Sequence, residues 1–372
     1  MTAAVFSFTQ LTRTNNNRWL HRFAVFTALA TLALLGVGGL VTSKGVGMAV
    51  PDWPTSYGYN MFALPFKYWT GGALQEHSHR LVASGVGFLT TILAVWLWLK
   101  ESRSWLRWMG VIAFVAVVVQ GVLGGLRVVL IKDELGIFHA TLAQLFFGLT
   151  CAIALFTSRW WNTSPASKLS PSSEEKQSND LAQLGRLFLI TTVFILLQLI
   201  LGATMRHQHA GLAIPDFPLA YGKLWPATDA DSIIRYNSQR LEITAVNSIT
   251  AFQIFLQMAH RLMALAILIC VGWTAWRTRS SNVSQSGLRR IAILWLGLIL
   301  AQVGLGAWTI WSNKAADVAT AHVLVGALSL VTGLIGCIIC FRRLPAPVGT
   351  SVAAAALESP PGGDYTVNPA QS

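Results

Sequence analysis

Charge is what this sequence has least of. Only 11% of its 372 residues are Asp, Glu, Lys or Arg, under half of the roughly 25% typical of a soluble globular domain. That shortage excludes a water-soluble fold of ordinary design. Cysteine is nearly as scarce. Cys151, Cys270, Cys337 and Cys340 all lie inside apolar runs, so no disulfide framework is implied. Cys337-x-x-Cys340 has redox-motif spacing, but within an apolar helix it reads as packing. A signal-peptide cleavage pattern is also lacking, and the first apolar run is long enough to stay as a helix. Acidic residues number 15 against 27 basic ones, a net charge of +12. That excess invites a nucleic-acid partner, yet the placement of the basic residues explains it better.

What the sequence has in abundance is hydrophobic length. With 53% hydrophobic residues, it holds eight apolar stretches long enough to span a bilayer, at ~20 residues each. They fall near 20–42, 77–99, 105–130, 137–159, 185–206, 250–276, 288–311 and 318–341. Basic residues crowd the short connections on one side: Arg13, Arg18 and Arg22 before the first stretch, Lys100, Arg103 and Arg107 after the second, Arg277, Arg279, Arg289 and Arg290 after the sixth, and Arg342-Arg343 after the last. By the positive-inside rule both termini are cytoplasmic. The lipid membrane is then the expected partner and nucleic acid is not. The short N-terminal tail favours a bacterial inner membrane over a mitochondrial one.

The second half repeats the first. Ala49-Val50-Pro51-Asp52-Trp53-Pro54 returns as Ala213-Ile214-Pro215-Asp216-Phe217-Pro218, 164 residues later. His79-Arg80 returns as His260-Arg261 after 181, Gln120 as Gln302 after 182, and His139 as His322 after 183. The last three offsets nearly agree, and a longer second loop accounts for the jump. A repeat of this length marks a duplicated structural unit. The expected fold is therefore an all-α membrane protein of eight transmembrane helices. They form two tandem four-helix bundles, related by a pseudo-two-fold axis along the membrane normal because each unit has an even helix number. The expected divisions are an N-terminal cytoplasmic tail (1–19), an N-terminal bundle (20–160), an inner linker (161–183), a C-terminal bundle (184–341) and a disordered C-terminal tail (342–372).

Each half places one His at the outer end of its second helix and one at the outer end of its fourth: His79 with His139, and His260 with His322. Helices 2 and 4 of a bundle run parallel, so the two imidazoles of a pair share a depth. Paired imidazoles across an apolar bundle suit a haem iron. The bland alternative, hydrogen-bonded packing histidines, is weakened by the fourfold recurrence. Zinc lacks Cys or carboxylate partners in both halves. Arg80 and Arg261 follow the histidines directly and could support propionates or a loop.

Glu76 lies one turn before His79, while Gln257 holds the matching place before His260. An ionisable group there points to proton or charge chemistry. The alternative is an acid favoured by the helix dipole. Asp52 and Asp216 fit loop capping, bonding to loop amides or to the following Arg. His77 points away from His79, at 100° per residue. His207 and His209 read as solvated loop residues, and His21 as incidental.

Together these features resemble the haem A synthase family, over about residues 20–341. The resemblance rests on the eight-helix duplication, Glu76-x-x-His79-Arg80, His139, Ala259-His260-Arg261, His322 and the two Pro-Asp-x-Pro loops. It implies an oxidoreductase that converts the C8 methyl of haem O to a formyl group through successive hydroxylations, giving haem A for cytochrome oxidase assembly. It implies that His79 and His139 hold the substrate haem O, that Glu76 is the catalytic carboxylate, and that His260 and His322 ligate a resident haem b. Haem O synthase, oxidase assembly factors and an unidentified electron acceptor are the implied partners. One departure is plain: many members carry a cysteine pair in the first outer loop, and this loop has none. A quinol-linked dihaem b-type electron-transfer cytochrome is the rival reading, and a porphyrin transporter the third.

Overall fold

The computed structural model describes residues 17–163, 171–239, 248–280 and 287–344. The expectations for the N-terminal tail before Asn17, the C-terminal tail after Leu344 and the middle of the inner linker lie outside these residues. The described chain is helical, with two isolated bridges, Ser56–Tyr59 and Ala220–Lys223. The long helices are α1 (Arg18–Ser43), α2 (Gly71–Lys100), α3 (Ser104–Leu130) and α4 (Asp133–Phe156), then α6 (Pro171–His207), α8 (Ala251–Ser280), α9 (Leu288–Trp311) and α10 (Ala316–Arg342). Short helices α5 (Arg159–Asn162) and α7 (Ala230–Ser238) lie between them. All eight long helices are long and apolar enough to cross a membrane. The chain is a multi-pass membrane protein.

Two boundaries differ from those expected. Helix α2 starts at Gly71, so Glu76, His77 and His79 stand inside the helix rather than at its mouth. Helix α6 starts at Pro171, within the stretch read as linker. Proline suits a first helical turn because its missing N–H would find no partner there. The polar composition of 171–180 hid the helix because periodicity is weak where all faces are polar. At the other end of the same surface, Asn17 caps α1 by accepting from the Trp19 and Leu20 amides at 3.1 and 3.2 Å.

In each half the four long helices close into a ring. Helix α1 packs on α2, α2 on α3, α3 on α4, and α4 returns to α1; α6, α8, α9 and α10 do the same. Between the halves α1 packs on α10, α6 on α4, and α4 on α10. Exchanging first helix for first and fourth for fourth maps this set onto itself. The contact pattern is therefore the same seen from either half.

Small residues permit these approaches. A Cβ on Gly36 would meet Leu324 of α10 at 3.5 Å, and one on Gly39 would meet Thr320 at 3.3 Å. Inside the second bundle Phe188 stacks on Trp295 with centroids 5.0 Å apart. Gly333 and Gly336 make the room, since a Cβ there would overlap Trp295 and Phe188.

Candidate functional site: four histidines against four glycines

Both Pro-Asp loops fold the same way. Asp52 accepts from the Tyr57 and Gly58 amides at 2.7 and 2.8 Å and from the Thr55 hydroxyl at 2.6 Å. Asp216 accepts from the Tyr221 and Gly222 amides at 2.7 and 2.9 Å. Tyr57 and Tyr221 both sit at φ +52°, in the left-handed region, which side-chain-bearing residues enter only when the surrounding contacts hold them. Their hydroxyls donate to the Ala49 and Ala213 carbonyls at 2.8 and 2.5 Å. Burial alone would raise the Asp52 carboxyl; the hydrogen bonds from Thr55, Gly58 and Tyr57 outweigh it and hold the group below the usual carboxylate range.

Each loop is latched to a helix beneath it. The Val50 amide donates to Glu76 Oε2 at 2.8 Å, and the Ile214 amide donates to Gln257 Oε1 at 2.7 Å. Glu76 is 3% exposed and Gln257 2%. The other Glu76 oxygen pairs with Arg80 Nη2 at 2.6 Å. Arg80 also donates to the carbonyls of Asp52, Thr55 and Val50 at 2.7, 3.1 and 2.9 Å. Arg261 donates to the Leu219 and Asp216 carbonyls at 2.9 and 2.7 Å. Of the two roles expected for these arginines, loop support is the one the geometry displays.

The four histidines are placed alike. His79 of α2 lies over Gly38 of α1, His139 of α4 over Gly124 of α3, His260 of α8 over Gly202 of α6, and His322 of α10 over Gly306 of α9. A Cβ at those glycines would stand 2.9, 3.2, 3.3 and 3.3 Å from the ring Cε1. The four Nδ1 atoms are buried without a hydrogen-bond partner among the described residues. His79 is within electrostatic range of His139, and His260 of His322. Among the described residues no three His, Cys, Asp or Glu side chains gather to hold a bare metal ion. Two imidazoles per half, each seated against a glycine and with no competing hydrogen bond at Nδ1, fit an iron porphyrin that brings its own equatorial nitrogens.

Several features escaped the sequence reading. Gln120, Gln198 and Gln302 each donate from Nε2 to the backbone carbonyl of a facing histidine: His139 at 3.1 Å, His260 at 3.0 Å and His322 at 2.8 Å. Each stands four residues before its glycine, a Gln-x-x-x-Gly signal visible in the sequence. Arg206, at the end of α6, reaches across to α1 and donates to the Gly39 carbonyl at 2.7 Å and to Ser43 Oγ.

His207 corrects an expectation. It is 8% exposed and its ring lies where a Cβ on Gly136 of α4 would be, because α6 runs through His207 instead of ending before it. His209 does lie outside the helices, just beyond α6. His77 is fully buried beside Ser56 and Trp69, and His21 ties α1 to the Ala154 carbonyl at 3.0 Å.

Fold and site together define a duplicated, eight-helix membrane protein with a facing imidazole pair in each half. The model of the COX15-CtaA family, described as cytochrome oxidase assembly protein, matches residues 21–334. The chain belongs to that family. Among its relatives is the heme A synthase of Geobacillus kaustophilus, 28% identical over 329 residues, covering 84% of this chain and 90% of that protein. The heme A synthase of Alkalihalophilus pseudofirmus is 27% identical, covering 84% and 96%. That of Shouchella clausii is 25% identical, covering 80% and 89%.

Proposed function

We propose that this chain is a haem A synthase, oxidising the C8 methyl of haem O to the formyl group of haem A for cytochrome oxidase assembly. The observation that carries the reading is the fourfold arrangement of an unpartnered imidazole over a glycine, in a chain of this family. His79 and His139 are assigned to the substrate haem O, and His260 and His322 to a resident haem b. Both pairs lie at the loop end of the bundles. Basic residues cluster at the opposite end, which supports a cytoplasmic placement of both termini in a bacterial cell.

Bound there, the iron porphyrins supply the redox chemistry, and an electron acceptor outside the chain completes it. The protein's own residues do the rest. The imidazoles fix depth and orientation. Glycine holds the facing helix close, so each ring has one rotameric home. The Pro-Asp loops, latched by Glu76 and Gln257, close the loop end and exclude water. Glu76 sets an ionisable carboxyl one turn before His79, where Gln257 sets a neutral amide before His260. This asymmetry supports a proton-handling role for Glu76.

One observation favours the rival. Glu76 and Gln257 make the same latch to the same loop amide, so a carboxylate there has a structural use without chemistry. Haem extraction from the purified protein separates the readings. Haem B together with haem O, a hydroxylated intermediate or haem A supports the synthase. Haem B alone at both sites, reducible by quinol, supports a dihaem electron-transfer cytochrome.

A further inference from the structure

Three of the four histidines stand on a clamped turn, and one does not. The clamp is the Gln amide, which donates to the histidine's own backbone carbonyl from the neighbouring helix. The same amides leave buried Oε1 atoms without partners, on the helices that face the buried, unpartnered Nδ1 atoms. A metal-bound imidazole gives its second ring N–H to an acceptor of this kind in most sites. At His79 the place of the glutamine, four residues before Gly38, is taken by Leu34. Leu34 packs into the apolar core of the first bundle. Leucine has no donor, so that place offers nothing to the His79 carbonyl. His139, in the same pair, is clamped by Gln120. The difference therefore falls on one ligand of one site, and sequence offset alone does not produce it, because Gln198 holds the equivalent place in the second half.

We propose that His79 is the exchangeable axial ligand, the one that lets go when haem enters or leaves the first bundle, and that Leu34 is the residue that leaves it free to do so. The inference rests on the haem reading above. A substrate site must release what it binds, whereas a resident group must stay. The chain meets both needs with one hydrogen bond, present at His139, His260 and His322 and missing at His79. Leu34 and Gln198 act through the histidine turn and are positioning residues.

The probe is carbon monoxide, mixed by stopped flow with the purified, dithionite-reduced holoprotein. At saturating carbon monoxide the rate is set by imidazole release. In the wild type one haem population is expected to react faster than the other. Leu34→Gln should slow the faster population about five-fold, the rate equivalent of one ordinary hydrogen bond. Gln198→Leu should speed the slower population by about the same five-fold factor. If Leu34→Gln loses its haem through misfolding, the Gln198→Leu measurement decides alone. A Leu34→Gln rate within two-fold of wild type, with normal haem content, overturns the inference. So does a Gln198→Leu rate for the slower population within two-fold of wild type. A wild type with no bis-imidazole spectrum would overturn the haem reading and this inference with it. A normal spectrum with unchanged rates overturns this inference only.

Discussion

Exchanging Glu76 for Gln asks whether the carboxylate is a latch or a reagent, because the second half of the chain already contains the answer for the latch. Gln257 holds its loop through Oε1 with a bond of 2.7 Å to the Ile214 amide, against 2.8 Å for Glu76 and Val50. Glu76→Gln should therefore keep the Val50 bond. It removes the ion pair to Arg80, but Arg80 retains its carbonyl partners on Asp52, Thr55 and Val50. Losing a buried charge partner outright costs about 3–5 kcal/mol. With the guanidinium still solvated by the loop, we expect about 1.5–3 kcal/mol, the scale of one charge-assisted hydrogen bond. Glu76→Ala is different. It also orphans the buried Val50 amide, adding about 1–3 kcal/mol. The assay is paired: thermal unfolding in detergent, and chromatography of the haems after incubation with haem O. We expect Glu76→Gln to hold its haem, unfold slightly earlier than wild type and make no haem A, with Glu76→Ala clearly less stable. Full haem A output from Glu76→Gln would refute a catalytic carboxylate. Equal destabilisation by the two substitutions would refute the latch.

Further outcomes can be checked independently. The Asp52 carboxyl is held below its ordinary range in the folded loop, so its stabilisation is complete above the unfolded carboxylate pKa of about 3.9 and is lost as pH falls through the lower folded value. Hydrogen exchange across residues 50–58 should stay slow from neutrality to about pH 4 and rise below it. Asp52→Asn should flatten that acid transition; an unchanged profile would show that another group holds the loop. Gly38→Ala puts a methyl 2.9 Å from the His79 ring, whereas Gly85→Ala, on the adjacent helix, meets nothing within 4 Å. The first should reduce the low-spin haem signal of the first bundle and the second leave it intact, and equal effects would dissociate the glycine from the ligand. His260→Ala should empty the second site of its haem, read as pyridine haemochrome per chain, and an unchanged haem b content would mislocate that site.

Much of this was legible before any coordinates. The constant offset between His79 and His260, Gln120 and Gln302, and His139 and His322 announces the duplication, because a repeated core demands repeated contacts. The ends of α3 and α9 match expectation because their apolar runs stop at polar residues. Illegibility begins where polarity or distance intervenes. The opening turns of α6 are too polar to show a face. The early start of α2 is masked by two glycines, poor helix formers held there by the loop after α1: a Cβ on Gly72 would press on Val46. The latch partner of Glu76 went unseen because the Val50 amide lies 26 residues back in a loop whose shape no pattern predicts. Gln120 and Gln302 were visible as repeat marks, but their acceptors are backbone carbonyls, which every residue has. Arg206 bonds to a residue 167 positions away and has no counterpart in the other half.

That missing counterpart makes the seam between the bundles directional. The 164-residue offset matches Arg206 to Thr42 and Ser43 to His207. The donor thus exists only in the later half and the acceptor hydroxyl only in the earlier one. Two copies of the second half would set a guanidinium against an imidazole, and two copies of the first would offer hydroxyls with no cation between them. Whatever ancestral pairing of identical units the repeat records, the present halves have become heterologous complements. Each presents a surface that only the other can satisfy, and neither can stand in for its twin.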